Sequence, residues 1–489
     1  MFTLQFAGLA GLALACAPVM AQGRHDAASA PREVAANERG AEGALQLRPA
    51  RRLAPSQLVR DLGTMSPSKA FDMPVVAGPL ELTVAVQLAV GRHPSIGDAI
   101  ATLLQHEGGV DVARAGYYPQ VRVGVGGSRS NGAATARSGT QASISASQML
   151  YDFGKVSGAV KQSEAQVLRQ QAMVLKQLDA VALEAAQAVV QVHRYQTLLD
   201  IAKDQVQAVE KVMETAQLRA SAGISTQSDP IQAESRVDSA RANRLQVQTQ
   251  LAQWRERLRT LLGGAVPQVI APLPDQLARS IPMDIVPDDG LLPDVLVARA
   301  ERQAATAQID IARAQRYPTL SLDASANKAM AGTNANSNAP ERGLNHSIAL
   351  NLSSVLYQGG ALDAQVRSAI AAEEAAGQRV ETARLRVGDQ ARSFREQIIG
   401  AQARLGALAS RKRTIAIARD LYREQYKLGT RSILDLLNAE QEIYQAAAEE
   451  EAVQHDLWDQ RIAYIGATGQ TREVYGLNNQ TIQGMDVRP

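Results

Sequence analysis

The chain carries one pattern twice: the stretch GTRSILDLLNAEQEIYQA (429–446) follows the order of an earlier stretch, GISTQSDPIQAESRVDSA (223–240). When the two are aligned, a glycine opens each stretch, an aspartate lies six residues later, and an Ala-Glu dipeptide follows at the same distance. A glycine followed by an acidic helix start is typical of a sharp turn between two helices. The repeated turn predicts that the chain is an internal duplication.

Two other pairs of segments support the duplication. The segment ARAGYYPQV (113–121) is similar to ARAQRYPTL (312–320), at an offset of 199 residues, and LYDFG (150–154) is similar to LYQGG (356–360), at an offset of 206. The extra residues of the second half therefore lie between these two segments, in a Gly/Asn-rich insert. A length change confined to that place predicts an exposed loop.

Each half has the same predicted order: a helix, a β-hairpin, a long helix, a turn and a second helix. In the first half a single helical stretch runs from about Leu80 to Tyr117 before the hairpin. Prolines separate the two halves. The predicted ranges are 79–262 for the first repeat, with its hairpin at 119–151 and its turn near 223; 263–289 for the proline-rich linker; 290–467 for the second repeat, with its hairpin at 318–357 and its turn near 429; and 468–489 for a C-terminal tail.

Heptads run through the longest helical pattern, which extends from about Lys155 to Ala220. Every seventh residue from Val160 to Val209 is apolar, and a second apolar series begins at Leu178. This spacing is typical of coiled-coil helices. At about 1.5 Å per residue the helix is a rod of about 100 Å, and we expect neighbouring helices to cover its narrow seam. On heptads alone, a cytoskeletal or adaptor coiled coil stays open as an alternative.

Residues with a period of two mark the predicted hairpins. Val121, Val123 and Val125 alternate with small or polar residues, and Ile348 and Leu350 do the same in the second half. Small polar residues on one face and apolar residues on the other are typical of strands between lipid and a water-filled lumen.

Aromatic residues flank these strands at the end that joins the helices. In antiparallel hairpins those positions share one end of the sheet, which predicts an interfacial aromatic belt. Ordinary packing where helices join strands is the alternative. The belt comprises Tyr117, Tyr118, Tyr151, Phe153, Tyr317 and Tyr357.

Four strands cannot form a closed sheet. Backbone groups in hydrocarbon must all be paired, and closure needs at least about eight strands. Two copies would give a cramped barrel of eight strands, whereas three give twelve and leave a lumen. The predicted fold class is mainly α with a small β part: a long coiled-coil α-helical barrel joined to a trimeric transmembrane β-barrel of twelve strands, four from each internally duplicated chain.

Over about residues 80–467 the chain resembles the TolC-type outer-membrane factor family. The resemblance rests on the duplication, on ARAGYYPQV, on the LYDFG and LYQGG strand ends and on YKLGTRSILDLLNAEQEIYQA (426–446). It implies a homotrimer in the outer membrane of a Gram-negative bacterium, in contact with its lipid and continued by a tunnel in the periplasm. It also implies two partners, a periplasmic adaptor (a membrane fusion protein) and an inner-membrane ABC or proton-driven transporter.

As its function, the resemblance implies the exit duct of a tripartite export machine. LYDFG and the absence of a good lipidation motif favour type I protein secretion. Multidrug efflux is the alternative within this class, and a structural coiled-coil surface protein is the alternative outside it.

The resemblance also assigns roles to residues near the two turns. Gly223 and Gly429 would be the periplasmic tip turns, and three copies of Asp435 would form a carboxylate ring at the tunnel entrance. Relatives carry a second acid where this chain has Asn438, so the ring is predicted to be weak and to bind divalent cations loosely. The latches that hold the tip shut would pair Tyr426 with Asp229 and Arg431 with Ser228. From the residues alone, Asp435 is also compatible with a solvated acid at a helix start, and Asp229 with a helix N-cap.

The N-terminal stretch MFTLQFAGLAGLALACAPVMA (1–21) has the length and the small-residue end of a signal peptide, although no Lys or Arg precedes its apolar run. Residues 22–78 are predicted to be a flexible tail. Cys16, the only cysteine, lies in the predicted signal peptide; lipidation of it is the alternative, against which the ALAC motif argues. Its position excludes a disulfide framework.

Composition argues against other classes of function. The formal net charge is +2, from 51 basic and 49 acidic residues, so we expect no nucleic-acid binding. The six histidines have no metal-ligand spacing, and no GK[ST] motif follows the glycines near residue 125. We therefore predict no enzyme activity, no catalytic residue, no metal site and no cofactor.

Overall fold

The computed structural model describes residues 78–132, 135–274, 287–333 and 344–487. The predicted signal peptide, Cys16 and nearly all of the predicted N-terminal tail lie outside these residues. The centre of the predicted linker and parts of both hairpin loops lie outside them as well.

The first repeat contains four helices and one hairpin among the described residues. The strands follow two helices that end in a short 3₁₀ turn (Ala115–Tyr117). The elements are α1 (Leu82–Arg92), α2 (Pro94–Arg114), β1 (Gln120–Gly132), β2 (Thr135–Tyr151), α3 (Lys155–Ser221) and α4 (Ser228–Leu262).

The second repeat follows the same order and is extended by a short C-terminal segment. Its elements are α5 (Pro293–Ala314), β3 (Thr319–Thr333), β4 (Leu344–Ser353), α6 (Ala361–Lys427) and α7 (Ile433–Ala467), and the C-terminal segment adds α8 (Thr471–Val474), β5 (Thr481–Ile482) and β6 (Met485–Asp486).

The long helices of the two repeats are equal in length. The helices α3 and α6 each have 67 residues, and α4 and α7 each have 35. The duplication has thus kept the helical lengths while the strands and their loops differ. The fold is mainly α with a small β part, as the sequence predicts.

The predicted single helix from Leu80 to Tyr117 is wrong in one respect, because it is two helices. His93, between α1 and α2, is extended (φ −65°, ψ 125°) and caps α2 with its ring. Pro94 explains the break, since a proline ring disfavours the helical conformation in the residue before it. Proline is well tolerated as the first residue of the next helix.

The four long strands form one antiparallel sheet in the order β1-β2-β3-β4. The register pairs Arg122 with Ser145, Ser145 with Ser325, and Ser325 with Ser347. The two hairpins are thus joined along β2 and β3, which leaves β1 and β4 as the edge strands.

The main core surrounds the middle of α3. Apolar residues of α1, of the end of α4 and of the C-terminal segment pack there, among them Val86, Leu258, Tyr475 and Met485. Residues 471–487 are therefore part of the core, which the prediction of a plain C-terminal tail missed. Backbone hydrogen bonds tie the segment together, and the Gln87 side chain donates to the carbonyl oxygen of Tyr475 at 2.9 Å.

Candidate functional site

The two tip turns have the same backbone structure. Gly223 and Gly429 have φ of 71° and 78°, the left-handed conformation that glycine adopts at little cost. After α3, the amides of residues 223 and 224 donate to the carbonyls of residues 220 and 219, and after α6 those of 429 and 430 donate to 426 and 425. This is the Schellman pattern, which satisfies the last carbonyls of a helix.

Tyr426 lies at the end of α6 and packs among buried residues of all four tip helices. It is 3 % exposed, and its hydroxyl makes no hydrogen bond within the described residues. The predicted Tyr426–Asp229 latch bond is therefore not formed in this structure. Burial and, second, the negative charge of nearby Asp229 raise the pKa of Tyr426. The guanidinium of Arg219 lies 4.9 Å from the Tyr426 ring centre and donates to the carbonyl oxygen of Lys427.

The second predicted latch pair also has other partners. Arg431 lies 4.2 Å from the Tyr422 ring centre and forms an ion pair with Asp435 at 3.1 Å. Ser228 shares a hydrogen bond with Thr226, 2.7 Å between the hydroxyl oxygens. These local bonds satisfy both side chains within their own turns, so neither latch is closed.

Asp229 is the second residue of α4, and the N-cap position belongs to Gln227. The N-cap assignment for Asp229 is therefore wrong. Its carboxylate instead accepts a hydrogen bond of 3.2 Å from the Thr226 hydroxyl. An acid in the first turn of a helix is still favoured by the helix dipole.

Asp435 lies in the first turn of α7. The hydroxyl of Ser432, the N-cap residue, accepts from the Asp435 amide at 3.3 Å and donates to its carboxylate at 3.0 Å. One turn further on, Asn438 accepts a hydrogen bond of 3.1 Å from Arg236 of α4. Asp435 is thus a helix-start acid as well as the predicted ring residue, and Arg431 offsets part of its charge.

Glu440 is a tip residue whose importance sequence reasoning missed. This residue of α7 is 3 % exposed, and its carboxylate lies 2.9 Å from Arg423 and 3.5 Å from Arg419, both on α6. The signal in the sequence was the repeated Ala-Glu dipeptide, but the matching Glu234 is exposed. The pair of arginines, present in the second repeat alone, marks the difference.

The two faces of the four-stranded sheet differ in polarity. One face exposes apolar side chains such as Val123 (77 %) and Ile348 (76 %). The other face is polar and carries Arg122 and Asp323, whose carboxylate accepts hydrogen bonds from Ser147 at 2.5 Å and from Ser321 at 3.1 Å. A cavity of about 300 Å³ opens on the polar face, lined by Gln120, Arg122, Ser145, Ala146, Ser147, Asp323, Ala324, Ser325, Ser347 and Ala349.

The predicted belt residues lie at the sheet end that joins the helices. Phe153 touches two of the others: its ring centre is 4.7 Å from that of Tyr151 and 5.1 Å from that of Tyr317. Phe153 has a positive φ of 56°, which is rare for a bulky residue. All six predicted belt residues are exposed, namely Tyr117, Tyr118, Tyr151, Phe153, Tyr317 and Tyr357.

Asp152 fixes the junction between β2 and α3. Its carboxylate accepts hydrogen bonds from the amides of Gly154 (2.9 Å) and Val156 (2.6 Å) at the helix start. The second repeat has Gln358 at this place, followed by Gly359 and Gly360 with positive φ. The Asp152 bonds therefore hold Phe153 in a conformation that the second repeat gives to glycine.

In the part of the chain that the structure describes, every helix is too short or too polar to span a bilayer. Within the same residues, no group of three or more His, Cys, Asp and Glu side chains is arranged to hold a metal ion.

A family model matches both repeats. The model is described as outer membrane efflux protein, and it matches residues 85–264 and again 292–470. The chain belongs to this family. The double match coincides with the duplication read from the sequence.

Relatives and a solved structure agree with the family. The chain is 25 % identical over 418 residues to the outer membrane efflux protein BepC of Brucella suis, covering 81 % of this chain and 87 % of BepC. It is 26 % identical over 357 residues to the outer membrane protein TolC of Salmonella enteritidis, covering 69 % and 71 %. The fold is similar to that of the outer membrane protein VceC of Vibrio cholerae, with a TM-score of 0.66, 20 % identity and coverage of 79 % and 96 %.

The efflux family consists of TolC-type channels, so the predictions of family, of location and of a non-enzymatic function are confirmed. This protein belongs to the Gram-negative outer membrane and extends into the periplasm. It acts as an efflux or exit channel.

Proposed function

We propose that three copies of this chain form the exit duct of a tripartite export machine, and that the duct serves type I protein secretion. The observation that carries the proposal is the sheet with two unpaired edges and one exposed apolar face. The edge strands are β1 and β4.

An open four-stranded sheet is unstable in lipid. Each unpaired N–H or C=O group in hydrocarbon costs several kcal/mol, so a sheet there must close. Its apolar face suits contact with lipid, because six of its residues are more than 60 % exposed: Val121, Val123, Val125, Ile348, Leu350 and Leu352. The polar face with Arg122 and Asp323 then lines a water-filled lumen.

Three copies fit this sheet better than two. Eight strands enclose only enough space for side chains, whereas twelve leave a lumen for cargo. The helices also support an assembly of several copies, because α6 exposes most of its surface along 67 residues. That surface is available to the helices of neighbouring copies.

The tip of the duct carries its gate. Three copies of Asp435 place a ring of carboxylates at the tunnel entrance, which favours cations. The ion pair between Arg431 and Asp435 (3.1 Å) and the bond from Arg236 to Asn438 weaken this ring. We therefore expect divalent cations to block the channel only at high concentration. The tip opens when an adaptor supplies contacts that compete with the Arg431–Asp435 ion pair and with the packing of Arg219 on the Tyr426 ring.

The partners are a periplasmic adaptor and an inner-membrane transporter. If the duct serves secretion, the transporter is an ABC transporter. The LYDFG strand end supports secretion. Multidrug efflux through a proton-driven pump is the second candidate, and the family description and the name of BepC favour it.

Cross-linking tests the closed trimer. On a Cys16→Ser background, Gly124→Cys on β1 with Ser347→Cys on β4 places one thiol on each edge, and a short bismaleimide should link copies into a ladder that ends at three. The matched control, Ser145→Cys with Ser325→Cys, joins neighbouring residues within one chain and should give no ladder. A ladder ending at two, or native mass spectra of a lone subunit, would contradict the trimer.

Deletion of the gene in its own host separates the two cargo classes. If the duct serves type I secretion, a protein disappears from the culture supernatant of the deletion strain, while the strain's susceptibility to small antimicrobials stays unchanged. Raised susceptibility with an intact set of secreted proteins would instead assign the duct to efflux.

A further inference from the structure

A half-buried histidine and a buried one join the repeats in the middle of the helical region. His193 of α3 and His455 of α7 approach to 2.8 Å, measured between Nδ1 of His193 and Nε2 of His455. His455 is 2 % exposed. The contact lies far from the tip residues and from the sheet.

The hydrogen bonds fix which nitrogen carries a proton. Nδ1 of His455 lies 2.7 Å from the carbonyl oxygen of Glu451, and a carbonyl can only accept, so this nitrogen is the donor. Neutral His455 then has a free lone pair on Nε2, which accepts from Nδ1–H of His193. The pair is therefore a directed chain from His193 to His455 to the backbone of α7.

The first added proton leaves the contact intact. A proton added to Nε2 of His193 keeps its Nδ1–H donor in place. A proton added to Nε2 of His455 makes that nitrogen the donor, and neutral His193 accepts on Nδ1 once its own proton lies on Nε2. When both rings are charged, two N–H groups face each other and the bond is lost.

Charged groups surround the pair on every helix packed against it. Arg194 of α3 pairs with Asp456 of α7 at 2.8 Å, and Lys412 of α6 pairs with Glu450 of α7 at 2.7 Å. The carboxylate of Glu451 lies 3.8 Å from His455, and Gln191 donates to Asp459 at 2.6 Å. Most of these charges are paired with one another, but the Glu451 carboxylate also faces the histidine pair and favours the charged form of its rings.

Burial lowers the pKa of His455; the hydrogen bond to the Glu451 carbonyl partly offsets this, and the positive charge of Arg194 acts in the same direction as burial. Burial, and then the neighbouring His455, lower the pKa of His193. Both rings are thus neutral at neutral pH, and the folded chain resists their protonation.

We propose that the His193–His455 pair is an acid-sensitive lock that holds α7 of the second repeat against α3 of the first. At neutral pH the lock is closed. When both His193 and His455 carry a proton, the bond is lost and two positive charges lie side by side. In the proposed duct, Asp435 lies in the first turn of α7, so release of α7 around residue 455 loosens the helix that carries the gate.

The sign of the effect follows from the lowered pKa values. Below about pH 6.5 the unfolded chain binds protons on these histidines more readily than the folded chain does, so acid destabilises the contact. Asp459 and Glu451 act in the opposite direction, because burial raises the pKa of Asp459 to about 6 and also raises the pKa of Glu451. A test must therefore separate the histidines from these carboxyl groups.

Hydrogen exchange of the purified full chain in detergent, compared between about pH 7.5 and about pH 5.5, tests the lock without reference to cargo or partners. After correction for intrinsic rates, amides of α7 around residue 455 should exchange about tenfold faster at the lower pH, the size expected when a buried donor loses its partner. His455→Gln keeps an acceptor but cannot titrate, and it should abolish the change. His106→Gln, which alters a histidine outside the pair, should preserve it.

The proposal is overturned if the wild type exchanges equally at both pH values, or if His455→Gln keeps the acceleration. Should His455→Gln fail to fold, exchange at the imidazole C2 positions of the wild type gives the titration of each ring directly. Both His193 and His455 should then titrate below about pH 6.5. Titration of both at the ordinary value would refute the lock.

Discussion

The helices α3 and α6 occupy equivalent places in the two repeats and have 67 residues each, yet 23 residues of α3 are buried and only nine of α6. Helices α1, α2, α4, α5 and α7 all make extensive contact with α3, whereas the extensive contacts of α6 are with α5 and α7. The C-terminal segment adds further cover to α3. The duplication has therefore preserved length and changed environment: one copy became the packing centre and the other kept a free surface.

The buried residues of α6 show what a helix with few neighbours needs. Between Ala369 and Ile398 they follow alternating steps of seven and four, which place them along a single narrow seam. The middle of α3 is instead buried on several sides between Val181 and Val192. The seam of α6 comprises Val366, Ala369, Ala376, Val380, Val387, Ala391, Ile398 and Ala401.

The largest effect is expected from truncation of a core residue of α3. Leu178 is 1 % exposed, and Leu178→Ala should lower the free energy of unfolding by about 3 kcal/mol, because it leaves a cavity. Guanidinium denaturation followed by circular dichroism measures the change. The matched control is Leu385→Ala on α6, where the side chain is 71 % exposed and unfolding of the subunit should hardly change. Equal losses would contradict the difference between the helices.

The second-largest effect is expected at the ion pairs of Glu440 with Arg423 and Arg419, which have no counterpart at Glu234 in the first repeat. Glu440→Ala should cost about 2.5 kcal/mol, because it leaves Arg423 and Arg419 without their buried partner. The cost is below that of a fully buried pair because Arg423 is partly exposed. Glu234→Ala, at the equivalent place in the first repeat, removes an exposed carboxylate and should be close to neutral. Thermal melts of both variants provide the comparison, and similar shifts would exclude a special role for Glu440.

A smaller effect depends on pH. Asp179 of α3 is largely buried, 3.9 Å from Arg472, while the aligned residue of α6 is the exposed Leu385. Burial raises the pKa of Asp179 to about 7, and the charge of Arg472 partly offsets this. The folded chain therefore binds this proton more tightly than the unfolded chain, and stability is lost as pH rises from about 4 to about 7.

Asp179→Asn removes this titration. The variant should abolish a loss of about 1.5 kcal/mol between about pH 5.5 and about pH 8, seen as a flatter plot of denaturation midpoint against pH. Asp200→Asn, which alters an exposed acid of the same helix, serves as the control and should follow the wild type. A variant curve parallel to the wild-type curve would show that Asp179 does not titrate there.

The smallest effect should be equal in the two repeats. Gly223→Ala and Gly429→Ala should each cost about 1 kcal/mol, because alanine is strained at positive φ. Neither added methyl group meets an atom closer than 3.6 Å, so the strain is the whole cost. Thermal unfolding of the two variants should therefore shift by similar amounts, and a marked difference would mean that the turns are not equivalent.

Sequence reasoning found the elements that depend on local pattern. Heptads, strands with a period of two and the turn glycines Gly223 and Gly429 are each recognised from residues that are close in sequence. The helices and strands begin and end close to the predicted ranges. Pro94 is a local signal of the same kind, because it disfavours the helical conformation at His93 and so divides the predicted first helix.

Contacts between distant segments could not be found in this way. His193 and His455 are 262 residues apart, and no spacing within one helix reveals that they meet. The contact of Glu440 with Arg423 and Arg419 could not be predicted from the repeat either. The aligned Glu234 is exposed, so the repeat does not indicate that Glu440 is buried. The tip latches follow from a resemblance rather than from these residues, and the structure gives Arg431 and Ser228 partners within their own turns.

Because α3 and α6 are equal in length, the two helices together set the distance between the sheet and the tip. Removing one heptad from α3 alone would draw its turn about 10 Å toward the sheet while the turn after α6 stayed in place. The contacts among Arg219, Tyr426 and the chain around Gly429 could not survive that offset. The distance that this channel spans can therefore change only by matched insertions or deletions in both helices.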